Sequence, residues 1–183
     1  MKKLSIFILV LSLMLISSSA LASEHMMEKG TWTFGADFDL GSSITIGNAE
    51  PDVSSGFTLD GEYVMPAKNN MKVSYGGGIA YQFARTYTND ESKEFSFIPF
   101  YGLAKYEMQQ NSYLVGHLGY NLFNGNTDFE DGDELSGGFY YAAGIGVNME
   151  QYNADLLYSV NNGSKGNADV SYSKVSLSFG MSF

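Results

Sequence analysis

Apolar and polar residues alternate one by one over most of the chain beyond residue 30. The last nine residues, 175–183, show the pattern plainly, because Val, Leu, Phe, Met and Phe alternate there with Ser and Gly. Successive side chains of a β-strand point to opposite faces, so this segment predicts a strand with one apolar and one small or polar face. Because it ends on the aromatic Phe183, it suggests the closing strand of a transmembrane β-barrel.

Eight segments show this alternation and predict eight strands, each about as long as the ~9–11 residues that a tilted strand needs to cross a bilayer. In the fifth segment, the best phase puts the leucines outside and turns His117 and Asn121 inward. The segments are residues 31–41, 56–65, 72–85, 94–106, 112–123, 137–149, 151–160 and the closing 175–183.

The fourth segment has apolar residues on both faces. Phe97 and Pro99 belong to one face, whereas Ile98 and Phe100 belong to the other. Proline cannot donate a hydrogen bond to a neighbouring strand. We therefore expect a bulge near Pro99 that changes the facing of this strand.

The connections between the segments alternate in length. Long connections are predicted at 42–55, 86–93, 124–136 and 161–170, and short ones at 66–71, at 107–111 and around Glu150. Outer-membrane barrels have long loops outside the cell and short turns in the periplasm. The pattern therefore predicts an antiparallel up-and-down barrel with both termini on the periplasmic side.

The amino-terminal segment predicts export. Lys2 and Lys3 precede an apolar run at 4–16, and small residues follow up to Ala22. These features predict a signal peptide at 1–22, cleaved before Ser23, and a barrel domain at 23–183. The alternative is a transmembrane anchor, but the run is shorter than the ~20 residues of a membrane-spanning helix.

The composition excludes several classes of function. The chain has 20 acidic against 10 basic residues, a net charge of −10, which disfavours nucleic-acid binding because phosphate contacts need Lys and Arg. It has no cysteine, so disulfides, thiolate metal sites and thiol nucleophiles are excluded. Its two histidines, His25 and His117, lie far apart in the sequence, which disfavours a histidine metal cluster. No cofactor is expected.

The polar faces of the predicted strands are rich in Gly, Ala and Ser, which suit a crowded lumen better than a hydrated exterior. The alternative is a soluble barrel whose apolar face points inward around a ligand. Charges of both signs also lie on the polar face, either as a lumenal network of ion pairs or as solvated surface residues. We favour the lumenal network, formed by Asp37, Asp39, Asp60, Glu62, Asp155, Lys72 and Lys174.

With its signal peptide, eight alternating strands, strand cores at 75–81 (YGGGIAY) and 140–147 (YYAAGIGV) and terminal Phe183, the chain resembles the small outer-membrane β-barrels of the OmpX/Ail type and the OmpA transmembrane domain. The resemblance implies an eight-stranded antiparallel barrel in the bacterial outer membrane, in contact with lipids and lipopolysaccharide. It also implies that the barrel-assembly machinery reads the carboxyl-terminal strand. Because such proteins include adhesins, serum-resistance proteins and structural anchors, we expect a structural or surface-interaction role, with host or envelope partners at the loops.

Two other functions stay open. The first is a narrow channel for small solutes or hydrophobic molecules. The second is lipid A modification, which in similar barrels pairs a Ser with a His near the membrane edge. His117 is followed by Leu118 and Gly119, which supply no hydroxyl for such a pair, so a packed lumenal histidine and a non-enzymatic protein are expected.

The third long connection is strongly acidic and lacks the ligand spacing of an EF-hand. It is interpreted either as a solvated loop or as a site for a divalent cation or a basic partner, beside cation-bridged lipopolysaccharide. The candidate residues of this site are Asp128, Glu130, Asp131, Asp133 and Glu134.

Overall fold

The computed structural model describes residues 30–67, 70–87, 90–108, 111–126, 135–165 and 168–183. The predicted signal peptide at 1–22 lies outside these ranges. No helix within them is long and apolar enough to cross a membrane.

Antiparallel strands make up almost all of the described chain. They are β1 (Thr31–Ile46), β2 (Phe57–Ala67), β3 (Asn70–Gln82), β4 (Arg85–Tyr87), β5 (Asp90–Glu107), β6 (Ser112–Asn126), β7 (Leu135–Met149), β8 (Tyr152–Lys165) and β9 (Ala168–Ser182).

These strands form one closed barrel. Neighbours in sequence are neighbours in space, the last strand pairs with the first, and β3 pairs with β5. The short β4 also pairs with β5 and follows β3 after only Phe83 and Ala84, so β3 and β4 act as one interrupted strand. The result is the predicted eight-stranded up-and-down barrel.

The two ends of the barrel differ. The described chain begins and ends at one end, called here the termini end, where Trp32 N donates to Phe183 O and Phe183 N donates to Trp32 O. At the opposite end, called here the loop end, the strands are joined by residues 47–56, 88–89, 127–134 and 166–167. At the termini end the predicted tight reversal is confirmed, because Glu150, with a φ of 58°, and Gln151 alone separate β7 from β8.

The predicted facing of the strands is confirmed over most of the wall. The residues predicted to face outward form an exposed apolar belt, in which Phe38, Leu118 and Phe139 are each more than half exposed. Most of those predicted to face inward, including His117 and Asn121, are buried. There are two exceptions: Val160 was predicted on the outer face and is buried, and Lys72 was predicted on the inner face and is exposed.

Two of the predicted long connections are largely strand. β8 and β9 pair out to Lys165 and Ala168, and β4 pairs with β5 out to Tyr87 and Asp90. The expectation of long loops at 161–170 and 86–93 is therefore wrong. Hydrogen-bonded pairing continues where both faces become polar, so the alternation that marks the strand within the membrane is lost before the strand ends.

The predicted bulge near Pro99 is also wrong. β5 pairs with β6 without interruption from Glu94 to Glu107, and Pro99 faces inward. The irregularity lies instead in the partner strand, since the β3–β5 pairing ends at Phe100 and resumes with β4 at Phe95. Pro99, which has no N–H to donate, lies at this interruption.

Candidate functional site

The lumen is filled by side chains, and the part of the lumen nearer the loop end contains a buried ion cluster. Asp39 accepts hydrogen bonds from Arg85 Nη2 at 2.8 Å and from Lys174 Nζ at 3.0 Å. Its side chain and that of Arg85 are fully buried. Tyr172 OH donates to the same carboxylate at 3.2 Å, and Thr58 accepts from both basic groups. Two cations and one hydroxyl thus converge on a single carboxylate, which is how a buried charge is compensated.

A second cluster surrounds Glu62. Lys105 Nζ and Tyr101 OH each donate to its carboxylate at 3.1 Å. His117 Nε2 lies 3.6 Å from Glu62 Oε1, and the His117 ring stacks on Tyr101 with centroids 4.4 Å apart. Tyr140 OH is 3.5 Å from His117 Nδ1. Both ring nitrogens of His117 therefore face lumenal side chains, which confirms the predicted packed lumenal histidine.

A third cluster joins Asp155 to its neighbours. Tyr113 OH donates to Asp155 Oδ1, and Asn153 Nδ2 donates to Asp155 Oδ2 at 3.0 Å. All three side chains are buried.

An apolar plug closes the lumen toward the loop end. Phe95 and Phe97 on β5 meet Tyr172 on β9, and the Phe95 and Tyr172 rings have centroids 5.2 Å apart. β5 and β9 are four strands apart in either direction around the barrel, so this contact spans its full width. The plug consists of Ile44, Tyr87, Phe95, Phe97, Val170 and Tyr172.

A second contact spans the barrel below the plug. Gln82 Nε2 on β3 donates to Asn161 Oδ1 on β8 at 3.2 Å, and these strands are also four apart. A cavity within the lumen has a volume of about 20 Å³. One water needs roughly 10–15 Å³, so this cavity has room for about one water-sized body.

The predicted lumenal charge network is thus confirmed for five of its seven residues. Asp37, Asp39, Glu62 and Lys174 take part in ion pairs, and Asp155 takes part in buried hydrogen bonds. Asp60 lines the lumenal cavity, whereas Lys72 is exposed. The sequence did not identify Arg85, Lys105 or Tyr101 as partners. The facing of Arg85 depends on the interruption at residues 83–84, and the facing of β5 was unsettled.

The predicted cation or partner site lies outside the described residues, so it stays a prediction. Its residues are Asp128, Glu130, Asp131, Asp133 and Glu134. In the part of the chain that the structure describes, no three His, Asp or Glu side chains are grouped so that they could chelate a metal ion.

No protein-family model matches the sequence, and no curated protein matches it. Solved structures do match the fold. Ail, the attachment invasion locus protein of Yersinia pestis, matches with a TM-score of 0.55 and 18% identity, covering 86% of this chain and 100% of that chain. Neisserial surface protein A (NspA) matches with a TM-score of 0.56 and 13% identity, covering 84% of this chain and 97% of that chain.

A second structure of Ail, in complex with the heparin analogue sucrose octasulfate, matches with a TM-score of 0.53 and 17% identity, over 85% of this chain and 99% of that chain. Likeness at these identities is a likeness of fold. Together with the apolar outer belt and the polar lumen, it defines a small outer-membrane β-barrel protein. The fold and the outer-membrane location predicted from the sequence are confirmed.

Proposed function

We propose that the barrel is a closed, non-enzymatic scaffold and that its activity is a surface interaction carried by the loop end. The observation that supports this most directly is the pair of contacts across the lumen, Phe95 with Tyr172 and Gln82 with Asn161. A lumen crossed at two levels by packed side chains offers no continuous path for a solute, which argues against the alternative of a narrow channel.

Lipid A modification is also less well supported. The reaction needs a base within hydrogen-bond reach of a nucleophile at the lipid boundary. His117, the one histidine in the described ranges, points into the lumen, where Glu62, Tyr101 and Tyr140 surround its ring. Because these contacts hold the imidazole inside the wall, it has no access to a lipid headgroup.

From the resemblance to outer-membrane barrels, we infer that the loop end lies outside the cell. In this orientation, the apolar belt contacts the lipids of the membrane, and lipopolysaccharide surrounds the loop end. The closing strand that ends at Phe183 is the segment read by the barrel-assembly machinery.

The loop end is strongly acidic. The sequence places eleven acidic residues and two lysines in its connections and in the strand ends beside them. Such a surface attracts cations and repels anions. We infer that its partner is a basic protein segment, or lipopolysaccharide phosphate bridged by divalent cations. The acidic residues are Glu50, Asp52, Asp90, Glu91, Glu94, Asp128, Glu130, Asp131, Asp133, Glu134 and Asp169.

The charge of the loop end separates this protein from Ail in one respect. A structure of Ail holds a heparin analogue, sucrose octasulfate, which is a dense anion. The acidic loop end of the present protein should repel such a ligand. We therefore expect this protein to select a partner of the opposite charge, although the fold is shared.

The test is binding of the barrel, reconstituted in lipid bilayers, to surfaces coated with poly-lysine or with heparin. We expect binding to poly-lysine, weakened by salt because exposed charges are screened, and no binding to heparin. Replacing the five acidic residues of 127–134 by Asn or Gln should weaken poly-lysine binding. The matched control replaces Glu107 and Glu150, which are exposed at the termini end, by Gln and should bind as the parent does. Binding to heparin in place of poly-lysine would refute the proposal.

A further inference from the structure

Two glycines leave a gap in the inner surface of the wall. Gly35 on β1 pairs directly with Gly180 on β9, so two adjacent strands present no side chain at this level. Asp60 pairs with Gly35 on the other side, and Asn153 pairs with Gly180. The four residues form one row across β2, β1, β9 and β8, with an oxygen-bearing side chain at each end. This row is called here the glycine cradle.

The side chains of Asp60 and Asn153 lie over the two glycines. A Cβ atom at Gly35 would lie 2.7 Å from Asp60 Oδ1, and a Cβ atom at Gly180 would press against Asn153 Oδ1. The space that the missing side chains leave is therefore taken by these two oxygens. All four residues line the lumenal cavity of about 20 Å³.

The oxygens at the cradle have no donor. Within the described chain, Asp60 Oδ1 and Asn153 Oδ1 are buried and receive no hydrogen bond, and Asn153 as a whole is only 7% exposed. The orientation of the Asn153 amide is fixed, because its Nδ2 donates to Asp155. Gln82 is 2% exposed and lines the same cavity. Its Oε1 also lacks a donor, while its Nε2 donates to Asn161. A buried polar atom without a partner is costly, so three such acceptors around one cavity call for an occupant that is a donor or a cation.

The charge of the side chains that line the cavity decides between a neutral donor and a cation. The cavity is lined by the carboxylates of Asp37, Asp60, Glu62 and Asp155, against the single ammonium of Lys174. Asp37 is 3.7 Å from Lys174, and Glu62 is paired with Lys105. Neither Asp60 nor Asp155 forms an ion pair with another described residue. Uncompensated carboxylates in a buried space favour a positive occupant over a neutral one.

We propose that the glycine cradle binds a monovalent inorganic cation, sodium or potassium, between Asp60 Oδ1 and Asn153 Oδ1. Carboxylate and amide oxygens are ligands for hard cations. A divalent ion is a poorer fit, because Ca²⁺ takes about 6–8 oxygen ligands and Mg²⁺ keeps several of its waters, whereas the cavity has room for only about one water-sized body. The cavity volume matches a single ion or one water-sized body. The cation would link β2 to β8 across the β1–β9 closure of the barrel.

The test uses the whole mature protein refolded in detergent micelles. The midpoint of thermal unfolding is measured in equal concentrations of sodium, potassium and choline chloride, the last having a cation too large for the cavity. We expect a higher midpoint in sodium or potassium than in choline, and broadening of the sodium NMR signal by the protein. Equal midpoints together with an unbroadened sodium signal would overturn the proposal and leave a water or a proton as the occupant.

Variants locate the site. Asp60→Asn keeps the shape of the side chain and removes its charge, and Gly35→Ala fills the cradle beside Asp60. Each should abolish both the dependence on cation identity and the sodium broadening. The control Glu107→Gln, at an exposed position of the termini end, should retain both. Ion dependence retained by either cradle variant would refute the assignment. Should neither variant fold, the sodium signal of the parent protein decides the proposal by itself.

Discussion

At the scale of the residue, the lumen is held by a few buried charges. Asp39 compensates both Arg85 and Lys174, whose charged ends are almost completely buried. Removing one partner of a buried ion pair leaves the other uncompensated, which is why such pairs are sensitive to single substitutions.

We therefore expect Asp39→Asn to reduce the free energy of unfolding by about 3–5 kcal/mol, the range for breaking a buried pair. Urea unfolding in detergent micelles, followed by the shift in gel mobility, measures the change. Asp52→Asn, which changes an exposed residue, should cost well under about 1 kcal/mol. A loss no greater in the Asp39 variant than in the Asp52 variant would show that the cluster is not formed.

The sequence predicted part of this chemistry. Strict alternation placed Asp37, Asp39 and Lys174 on the inner face, because facing depends only on the period of the strand. It could not pair Glu62 with Lys105, since those residues lie on β2 and β5, on either side of β3, and meet only once the register of these three strands is set. The glycine cradle was equally hidden, because the pairing of Gly35 with Gly180 is a property of strands at opposite ends of the sequence.

At the scale of the element, the membrane determines which face of each strand is apolar. On β9, Phe179 is half exposed on the outer belt, and its neighbour Ser178 is buried in the lumen. The two side chains therefore meet different solvents although they are adjacent in the chain.

Phe179→Arg should destabilise the inserted barrel by about 2–4 kcal/mol, as expected for a charge facing lipid near the midplane. The measurement is reversible folding into lipid vesicles. Phe179→Leu is the matched control, because it keeps the apolar contact and should cost far less. If Arg and Leu are tolerated equally, the phase of β9 is wrong.

The strand extents were harder to predict than their facing. β8 and β9 stay paired to Lys165 and Ala168, where the sequence predicted a loop. A polar segment gives no apolar alternation whether it is paired or free, so its hydrogen bonds are not visible in the pattern.

This hairpin can be tested by amide hydrogen exchange. The amides of 161–164 and 169–172 should be protected to nearly the same degree as those within the membrane, because the β8–β9 pairing continues through them. The connection at 50–52, which lies between strands and outside any named strand, should exchange much faster and serves as the internal reference. Exchange of 161–164 as fast as that of 50–52 would contradict the extended hairpin.

At the scale of the whole molecule, the barrel is closed and its interior is filled. The plug and the contact between Gln82 and Asn161 share no residue, so trimming the plug leaves that contact in place. A barrel of eight strands is just wide enough for its side chains to fill.

Reconstituted in planar bilayers, the protein should give no stable conductance steps. The Phe97→Ala variant should be equally silent, because Gln82 and Asn161 still meet across the lumen below the plug. An unrelated open porin serves as the positive control for the same bilayers. Reproducible steps with the parent protein would revive the channel hypothesis.

The pairing of β1 with β9 also bears on how the protein is made. Until β9 is available, every arrangement of the earlier strands leaves two open edges, whose backbone groups have no partners in a bilayer. The barrel thus cannot settle into the membrane strand by strand from β1 onward. Insertion has to wait for β9, which comes after all the other strands of the barrel in the chain, and until then β1 needs a companion that shields its edge.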